Sequence, residues 1–265
     1  MTTFEPCGVR VLGTGSAVPD NILGNEELAK RFDVDVEWIE QRTGIVERHY
    51  CDDDQDALDL QIEALNNAIE NSGVNPKDIS LVISATVSAR MTCPSNACRL
   101  AHSVGAVPAG AFDLVAACSG FVYAMNIADA LIKSGAYETI AVVGCDAMSK
   151  LTDPTDRGTS ILFGDAAGAA ILQRCDDTEL GCFYQTMNAD AQTWQALYIP
   201  TREEDVVEGD TATSEIGMLR MRGKEVYKFA VSKFQEITEN LLEETGLTPD
   251  DVSQFICHQS NMRII

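Results

Sequence analysis

Apolar stretches of strand length alternate with amphipathic stretches of helix length through the first two thirds of the chain. Apolar residues that run together predict a strand, and apolar residues that recur every three or four positions predict a helix. The predicted strands cover residues 8–13, 79–85, 110–115, 140–145 and 167–173. The predicted helices cover residues 25–32, 36–41, 56–72, 95–104 and 121–134. This order predicts a sheet that contains parallel strands and carries helices on both faces.

A second series of predicted strands and helices starts near Gly181. It is predicted to contain a strand there, a long amphipathic helix over residues 225–244 and a short strand over residues 254–257, directly before His258. The pattern alone therefore predicts an α/β protein with a repeated unit. A length of 265 residues allows one large domain or two moderate ones.

Cys118 occupies the most informative position in this pattern. It lies in a turn of small residues between the predicted strand over 110–115 and the apolar helix over 121–134. A cysteine at the start of a helix meets unpaired backbone N–H groups and the positive end of the helix dipole, which stabilise a thiolate. We therefore expect a nucleophile at Cys118, and the alternative is a buried structural cysteine.

Histidine is scarce, with three copies in the chain, so cysteine–histidine chemistry has few candidates. His258 ends a short apolar stretch and is followed by two amides, Gln259 and Asn261. We expect His258 to be the partner of Cys118, and the alternative is a histidine that packs in the core. His49 lies in a charged stretch and is predicted to be solvated.

Metal and nucleotide cofactors are not predicted. Cys93, Cys98 and His102 could be written as metal ligands, but no fourth ligand is evident. The glycines within residues 13–15 end a strand as a dinucleotide-binding loop does. Val18 then stands where the third glycine of that loop is needed, so we reject a nicotinamide or flavin site.

Composition narrows the class of protein further. The formal net charge of -22 argues against nucleic acid and anionic membranes as partners. The nine cysteines are scattered and odd in number, and the chain shows no signal peptide. Reduced thiols in a cytoplasmic enzyme are therefore expected.

Several motifs follow one another in order and at ordinary spacing. They are GTGSAVP (13–19), EWIEQRTGI (37–45), AACSGF (116–121), DPTDRGTSILFGDAAGAA (153–170), RGKEVYKFAV (222–231) and HQSNMRI (258–264). With these motifs the chain resembles the β-ketoacyl-acyl carrier protein synthases III, the condensing enzymes that start type II fatty-acid synthesis. GTG alone would be a weak signal, and the resemblance rests on the whole set.

The resemblance implies a thiolase-like fold. In that fold two similar βαβαβ-type halves stack as five layers, α/β/α/β/α. The first half is expected over residues 1–180 with Cys118, and a partial, truncated second half over residues 181–265 with His258. The resemblance also implies a homodimer.

The resemblance implies a decarboxylative condensation. An acyl-CoA primer, such as acetyl-CoA, transfers its acyl group to Cys118, and malonyl-acyl carrier protein then loses CO₂. His258 matches the histidine that stabilises the resulting enolate. No cofactor is expected, because decarboxylation itself provides the carbanion.

Substrate contacts are implied residue by residue. Trp38 and Arg157 match the positions that sandwich the CoA adenine, and Arg42 and Gly158 line the same entrance. Asn261 matches the amide that contacts the pantetheine arm. Val34 and Lys224 stand where well-known relatives carry a threonine and an asparagine that touch CoA, so those two contacts are not expected.

Carrier-protein docking requires local positive charge, because acyl carrier proteins are acidic and so is this chain. Basic residues cluster over 220–233, and the resemblance places Arg263 on the same side of the entrance. The docking residues that we expect are Arg222, Lys224, Lys228 and Arg263. The cluster over 220–233 also contains Arg220 and Lys233. The alternative is an ordinary solvated helix face.

Cys93 is expected to line the primer pocket. It stands where some acetyl-specific relatives place a phenylalanine that closes the acyl pocket of the partner subunit. A cysteine leaves more room, so primers of four or more carbons should compete with acetyl. Ala166 is a further departure, since a glycine often occupies that position.

Two alternatives stay open at this stage. The chain stops at Ile265, before the second enolate-stabilising asparagine of the family, so the 265-residue chain is expected to lack condensing activity on its own. It could then be a truncated, non-catalytic chain that binds acyl-CoA or carrier protein. A related starter acyltransferase, or a polyketide- or quinolone-type synthase, would share the same cysteine and histidine.

Overall fold

The computed structural model describes residues 5–210, 213 and 215–265. Contacts group the chain into two compact units. The first holds the residues up to Asn21 together with His49–Ala147 and Asp165–Gln185, and the second holds Ile22–Arg48, Met148–Gly164 and Thr186–Ile265. We predicted two similar halves that meet at residue 180. The two units are defined by contacts and not by internal similarity, so the predicted division stays a prediction.

Strands and helices alternate along the described residues. The strands are β1 (Gly8–Ala17), β2 (Ile22–Gly24), β3 (Glu47–His49), β4 (Leu81–Ala85), β5 (Gly110–Leu114), β6 (Thr139–Ala147), β7 (Asp165–Cys175), β8 (Leu197–Tyr198) and β9 (Arg220–Met221). The helices are α1 (Asn25–Phe32), α2 (Val36–Thr43), α3 (Ala57–Ser72), α4 (Asn96–Ser103), α5 (Gly120–Lys133), α6 (Arg157–Ser160) and α7 (Gly223–Thr245). Each strand and helix predicted before Gly181 is therefore confirmed.

The first unit is built on a five-stranded mixed sheet with the strand order β1-β7-β6-β4-β5. β4 runs parallel to both β5 and β6, whereas β7 runs antiparallel to β6 and β1. Every residue of β4 is buried, as expected for a strand that has a neighbour on each side and a helix layer on each face. The predicted sheet with parallel strands is confirmed, in a mixed form.

Helices cover both faces of this sheet. On one face α3 and α4 bury Leu60, Leu65 and Leu100 against the strands. On the other face α5 buries Ala128 and Ile132. The first unit therefore has three layers with a hydrophobic core on each side of the sheet.

α3 lies unusually close to β1, and glycine makes this possible. A Cβ atom at Gly15 would lie 2.2 Å from the backbone oxygen of Ala64 and 2.4 Å from the backbone nitrogen of Ala68. A Cβ at Gly13 would lie 2.5 Å from the backbone nitrogen of Ser72. The GTG sequence is thus explained by helix–strand packing, in line with our rejection of a dinucleotide loop.

In the second unit, the buried Arg48 joins separate segments. Its guanidinium donates to the Ile161 carbonyl at 3.2 Å and 2.5 Å, and to the Asn25 side chain at 2.5 Å. Asn25 in turn donates to the Ile45 carbonyl at 2.8 Å. These bonds tie the start of α1 to the residue that follows α6.

α7 is the longest helix of the second unit, and none of its residues is buried. β8 and β9 pair antiparallel, with Tyr198 opposite Arg220. Over the described ranges, neither α7 nor any other helix is both long and apolar enough to cross a membrane.

Two predicted strands are wrong. Near Gly181 no strand forms: the Leu180 carbonyl accepts a single bond from the Val9 N–H of β1 at 3.1 Å. The next residues bond to α5, since the N–H of Cys182 donates to Asp129 at 3.1 Å and Lys133 donates to the Cys182 carbonyl at 2.6 Å. Residues 254–257 also form no strand. An isolated apolar segment cannot form a ladder, and no strand in the described part of the chain pairs with this one.

Candidate active site

Cys118 lies at the edge of the sheet where the parallel strands end. β4, β5 and β6 point the same way, so their carboxyl ends meet at one edge, which is where α/β sheets place their ligands. Cys118 lies in a 3₁₀ turn over Ala117–Ser119, which joins β5 to α5. The predicted strand-to-helix position of Cys118 is therefore confirmed, whereas its role as nucleophile stays a prediction.

The backbone of this turn is tightly constrained. Ala117 has a φ of 45°, a left-handed conformation that is uncommon for a residue with a side chain and recurs at functional sites. The Ser119 N–H donates to the Ala116 carbonyl at 3.0 Å. Ser119 is the N-cap of α5 but makes no side-chain cap bond, and the Gly120 N–H donates to the Ala117 carbonyl.

Two glycines allow the start of α5 to pack closely on the sheet. A Cβ at Gly120 would lie 3.1 Å from the Cβ of Ala85, and a Cβ at Gly144 would lie 3.0 Å from a ring carbon of Phe121. A Cβ atom at either position would be closer to its neighbour than most real Cβ atoms are. The two glycines therefore allow the start of α5 to pack closely on the sheet. The Cys118 turn is thus fixed from below by β4 and β6.

The electrostatics of Cys118 differ from the prediction. Although the residue is exposed, the surrounding protein desolvates its thiol and raises its pKa, and the negative charge of Asp146 raises the pKa further. The hydrogen bond from its own backbone N–H lowers the pKa, but less. The predicted easy formation of a thiolate is therefore wrong, because desolvation outweighs the backbone N–H.

Cys93 lies in the loop that leaves the carboxyl end of β4, and its side chain is exposed. The loop ends where α4 begins. Asp113 accepts hydrogen bonds from the backbone N–H groups of Asn96 and Ala97, both at 2.7 Å. These bonds fix the start of α4 to β5.

Trp38, Arg42 and Arg157 form one cluster in the second unit. The guanidinium carbon of Arg42 lies 4.6 Å from the centre of a Trp38 ring, and that of Arg157 lies 5.1 Å from it. Arg42 is one helical turn after Trp38 on α2, and Arg157 is the first residue of α6. The N–H of the next residue, Gly158, donates to Asp156 at 2.8 Å.

Asn261 is tethered to the same cluster. Its side-chain amide donates to the Arg42 carbonyl at 3.2 Å and accepts from the Arg263 N–H at 2.8 Å. The Met262 N–H donates to the Thr43 carbonyl at 3.1 Å. Residues 261–263 are thus held against the end of α2, and the structure brings together the predicted CoA-binding residues Trp38, Arg42, Arg157, Gly158 and Asn261.

His258 precedes this tether and belongs to the second unit, whereas Cys118 belongs to the first. The residue is exposed, yet neighbouring atoms desolvate the ring enough to lower its pKa. The imidazole is therefore biased toward its neutral form at pH 7, in which one ring nitrogen carries a proton that it can donate.

The predicted docking residues gather at the start of α7. Arg222, Lys224 and Lys228 are exposed there, and Arg222 lies 3.9 Å from Glu225. The Arg263 guanidinium lies 5.5 Å from the centre of the Tyr227 ring, which brings it to the same helix. Arg220, in contrast, is buried and lies 3.7 Å from Asp210, so it cannot belong to a surface patch.

Two functional candidates were missed from the sequence. Asp146 acts on the Cys118 thiol, and Arg48 ties the segments beside α6. Asp146 stands at the end of a buried strand, and that position could have singled it out. In the described residues, no three His, Cys, Asp or Glu side chains are placed to share a metal ion.

Known proteins are similar to this chain in sequence and in structure. Residues 112–191 match the family described as 3-oxoacyl-(acyl-carrier-protein) synthase III. The chain is 39% identical to the β-ketoacyl-(acyl-carrier-protein) synthase III of Caldanaerobacter subterraneus over 262 residues, which cover 98% of this chain and 79% of that protein.

Solved structures give the same result. The 3-oxoacyl-(acyl-carrier-protein) synthase III of Aquifex aeolicus matches with a TM-score of 0.80 and 34% identity, over 97% of this chain and 79% of that chain. A priming β-ketosynthase from a polyketide biosynthetic pathway matches with a TM-score of 0.90 and 34% identity, over 100% of this chain and 78% of that chain.

The fold and these matches place the chain in the class of condensing acyltransferases with a mixed α/β, thiolase-like fold. Within that class, the chain belongs to the β-ketoacyl-acyl carrier protein synthase III family.

Proposed function

We propose that this protein condenses an acyl-CoA primer with malonyl-acyl carrier protein and releases a 3-oxoacyl-acyl carrier protein, the first condensation of fatty-acid synthesis. The observation that carries the proposal is the position of Cys118, on a constrained turn at the start of α5 and at the carboxyl edge of the sheet. Family membership supports the reaction.

Acyl transfer is the first half-reaction. The Cys118 sulfur attacks the thioester carbonyl of the primer, the bond from that carbonyl to the CoA sulfur breaks, and CoA leaves as a thiol. Because the pKa of Cys118 is raised, the thiol proton must leave as the new bond forms, and the departing CoA sulfur ends up with a proton. Backbone N–H groups at the start of α5 are proposed to hold the oxyanion.

Condensation is the second half-reaction. Malonyl-acyl carrier protein loses CO₂, and the electron pair of the broken bond forms an enolate. The neutral His258 is proposed to donate a hydrogen bond to the enolate oxygen. The enolate carbon attacks the acyl-Cys118 carbonyl, and the Cys118 sulfur leaves and regains a proton. The carbanion comes from decarboxylation, so the proposed chemistry calls for no metal or redox cofactor.

CoA is proposed to bind at the Trp38 cluster. The aromatic face of Trp38 and the guanidinium groups of Arg42 and Arg157 suit a planar, negatively charged nucleotide. The Gly158 backbone and the Asn261 amide are proposed to contact the rest of the CoA molecule. The bonds that tether Asn261 to α2 support its place beside Arg42.

The carrier protein is proposed to dock at Arg222, Lys224, Lys228 and Arg263. An acidic partner needs local positive charge on a chain with a net charge of -22, and these residues supply it. Cys93 is proposed to line the primer pocket of a cytoplasmic homodimer, so four-carbon primers should compete with acetyl-CoA.

A second candidate is the priming step of a polyketide pathway. It is favoured by the likeness to the priming β-ketosynthase, whose TM-score is 0.90. The two candidates share the half-reactions above and differ in the primer and the carrier protein.

The test is an assay of the full-length protein that follows both half-reactions, with acetyl-CoA and malonyl-acyl carrier protein as substrates. Cys118→Ala should abolish acylation and condensation. His258→Ala should lower decarboxylation about a hundredfold, as loss of an oxyanion donor does, while substantial acylation remains.

The exposed Cys98 provides the matched control, since Cys98→Ala should retain both half-reactions. Condensation by Cys118→Ala would refute the proposal. Equal loss of both half-reactions in His258→Ala would instead make His258 a base for the thiol.

A further inference from the structure

Asp146 makes a defined set of hydrogen bonds at the carboxyl edge of the sheet. It is the last residue but one of β6. One carboxylate oxygen accepts from the Val87 N–H at 2.7 Å and from the Thr86 hydroxyl at 3.2 Å. Both donors lie in the loop that follows β4, so a single side chain joins the ends of two neighbouring strands.

A further hydrogen bond joins β6 to the same loop, and here β6 supplies the donor. The N–H of Ala147, the residue after Asp146, donates to the Ser88 hydroxyl oxygen at 2.9 Å. Within the loop, the Ser88 N–H donates to the Thr86 hydroxyl oxygen at 3.0 Å. Residues 86–88 are therefore held to β6 from both sides.

The same loop supports the turn that carries Cys118. The Thr86 N–H donates to the Leu114 carbonyl, the last of β5, at 3.2 Å. Gly120, two residues after Cys118, packs against Ala85. The chain on either side of Cys118 therefore rests on residues 85–86, and Asp146 holds the loop that begins there.

We propose that Asp146 is a positioning residue for Cys118, because its carboxylate fixes the loop after β4 on which the nucleophile turn rests. This inference deepens the proposed function and rests on it, since it takes Cys118 as the nucleophile. Asp146 bonds to the supporting loop and takes no part in the transfer of the acyl group.

The charge of Asp146 has a second effect on the site. Over the described residues, it is the side-chain charge that raises the pKa of the Cys118 thiol, in addition to desolvation. Burial raises the pKa of the Asp146 carboxyl itself, and the bonds from residues 86–88 oppose that shift. Cys145, the neighbouring thiol on β6, donates into the core to the Ala57 carbonyl at 3.4 Å. Asp146 thus adds to the desolvation that disfavours the Cys118 thiolate.

The experiment measures thiol reactivity and loop protection in the same purified protein. Iodoacetamide alkylation of each cysteine, followed by mass spectrometry across pH, reports the acidity of the Cys118 thiol. Asp146→Asn keeps an acceptor for Val87 but removes the charge, so alkylation of Cys118 near pH 7.5 should be about three- to tenfold faster. Exposed Cys98 in the same molecule is the internal control, and its rate should not change.

Hydrogen exchange tests the loop. Asp146→Ala removes the acceptor as well as the charge, so amide exchange over residues 86–88 should become at least about tenfold faster, whereas Asp146→Asn should retain protection. An unchanged pH profile of Cys118 in Asp146→Asn, or unchanged exchange in Asp146→Ala, would overturn the inference. If Asp146→Ala does not fold, Asp146→Asn still decides the effect of the charge.

These outcomes are distinct from a failure of the proposed function. Alkylation and exchange report on the thiol and the loop whether or not the protein condenses substrates. A full-length wild-type protein that makes no 3-oxoacyl product would refute the proposed function and leave both measurements interpretable.

Discussion

The Cys118 turn and the Trp38 cluster hold their side chains in different ways. Cys118 is placed by main chain, through a left-handed residue and glycines that let α5 lie directly on the sheet. The Trp38 cluster is placed by side chains, through two guanidinium groups that pack on one aromatic ring. The proposed nucleophile therefore depends on the backbone of the whole first unit, whereas the proposed nucleotide contact depends on a few side-chain atoms.

The largest effect is expected where the backbone of the first unit is most crowded. Gly15→Ala would place a methyl group 2.2 Å from the Ala64 carbonyl oxygen, so α3 and β1 must separate. Overpacking of this kind should destabilise the protein by about 3 kcal/mol and displace the sheet that supports Cys118. Thermal or denaturant unfolding measures the loss.

Gly168→Ala is the matched control, because Gly168 lies in the same sheet and a Cβ there would meet nothing within 4 Å. Its stability should change by no more than about 1 kcal/mol. Equal losses in the two variants would mean that close packing does not set the backbone of this unit.

A smaller effect is expected at the Trp38 cluster. Trp38→Ala removes the ring that both guanidinium groups contact, so the KM for acetyl-CoA should rise about tenfold while kcat and stability change little. Trp194→Ala is the control, since Trp194 packs edge-to-face on Tyr198 at 5.7 Å and lies outside the cluster. A fall in kcat without a change in KM would assign Trp38 to the chemistry and not to nucleotide binding.

The sequence predicted the strands better up to β7 than beyond it, for a physical reason. Strands and helices up to β7 bury their apolar faces against one another, so periodicity and burial agree. The segment near Gly181 makes a single backbone bond to β1, and no strand pairs with residues 254–257 in the described part of the chain. Periodicity predicts which residues share a face and does not say what covers that face.

The sequence predicted which residues form the candidate site but did not predict their electrostatics. The turn around Cys118 and the residues of the Trp38 cluster follow from motifs. The raised pKa of the thiol does not, because it arises from desolvation and from Asp146, which is 28 residues away in the sequence and adjacent only in the folded sheet. Arg220 shows the same limit, since its burial next to Asp210 cannot be read from a basic cluster.

The proposal that Cys118 is the nucleophile is tested most directly by mapping the acyl group after incubation with isotopically labelled acetyl-CoA. Digestion at low pH preserves thioesters, and mass spectrometry of the peptides locates the label. We expect one labelled thioester, on Cys118, and no label on the exposed Cys93 and Cys98. Label on another cysteine, or undiminished incorporation by Cys118→Ala, would contradict it.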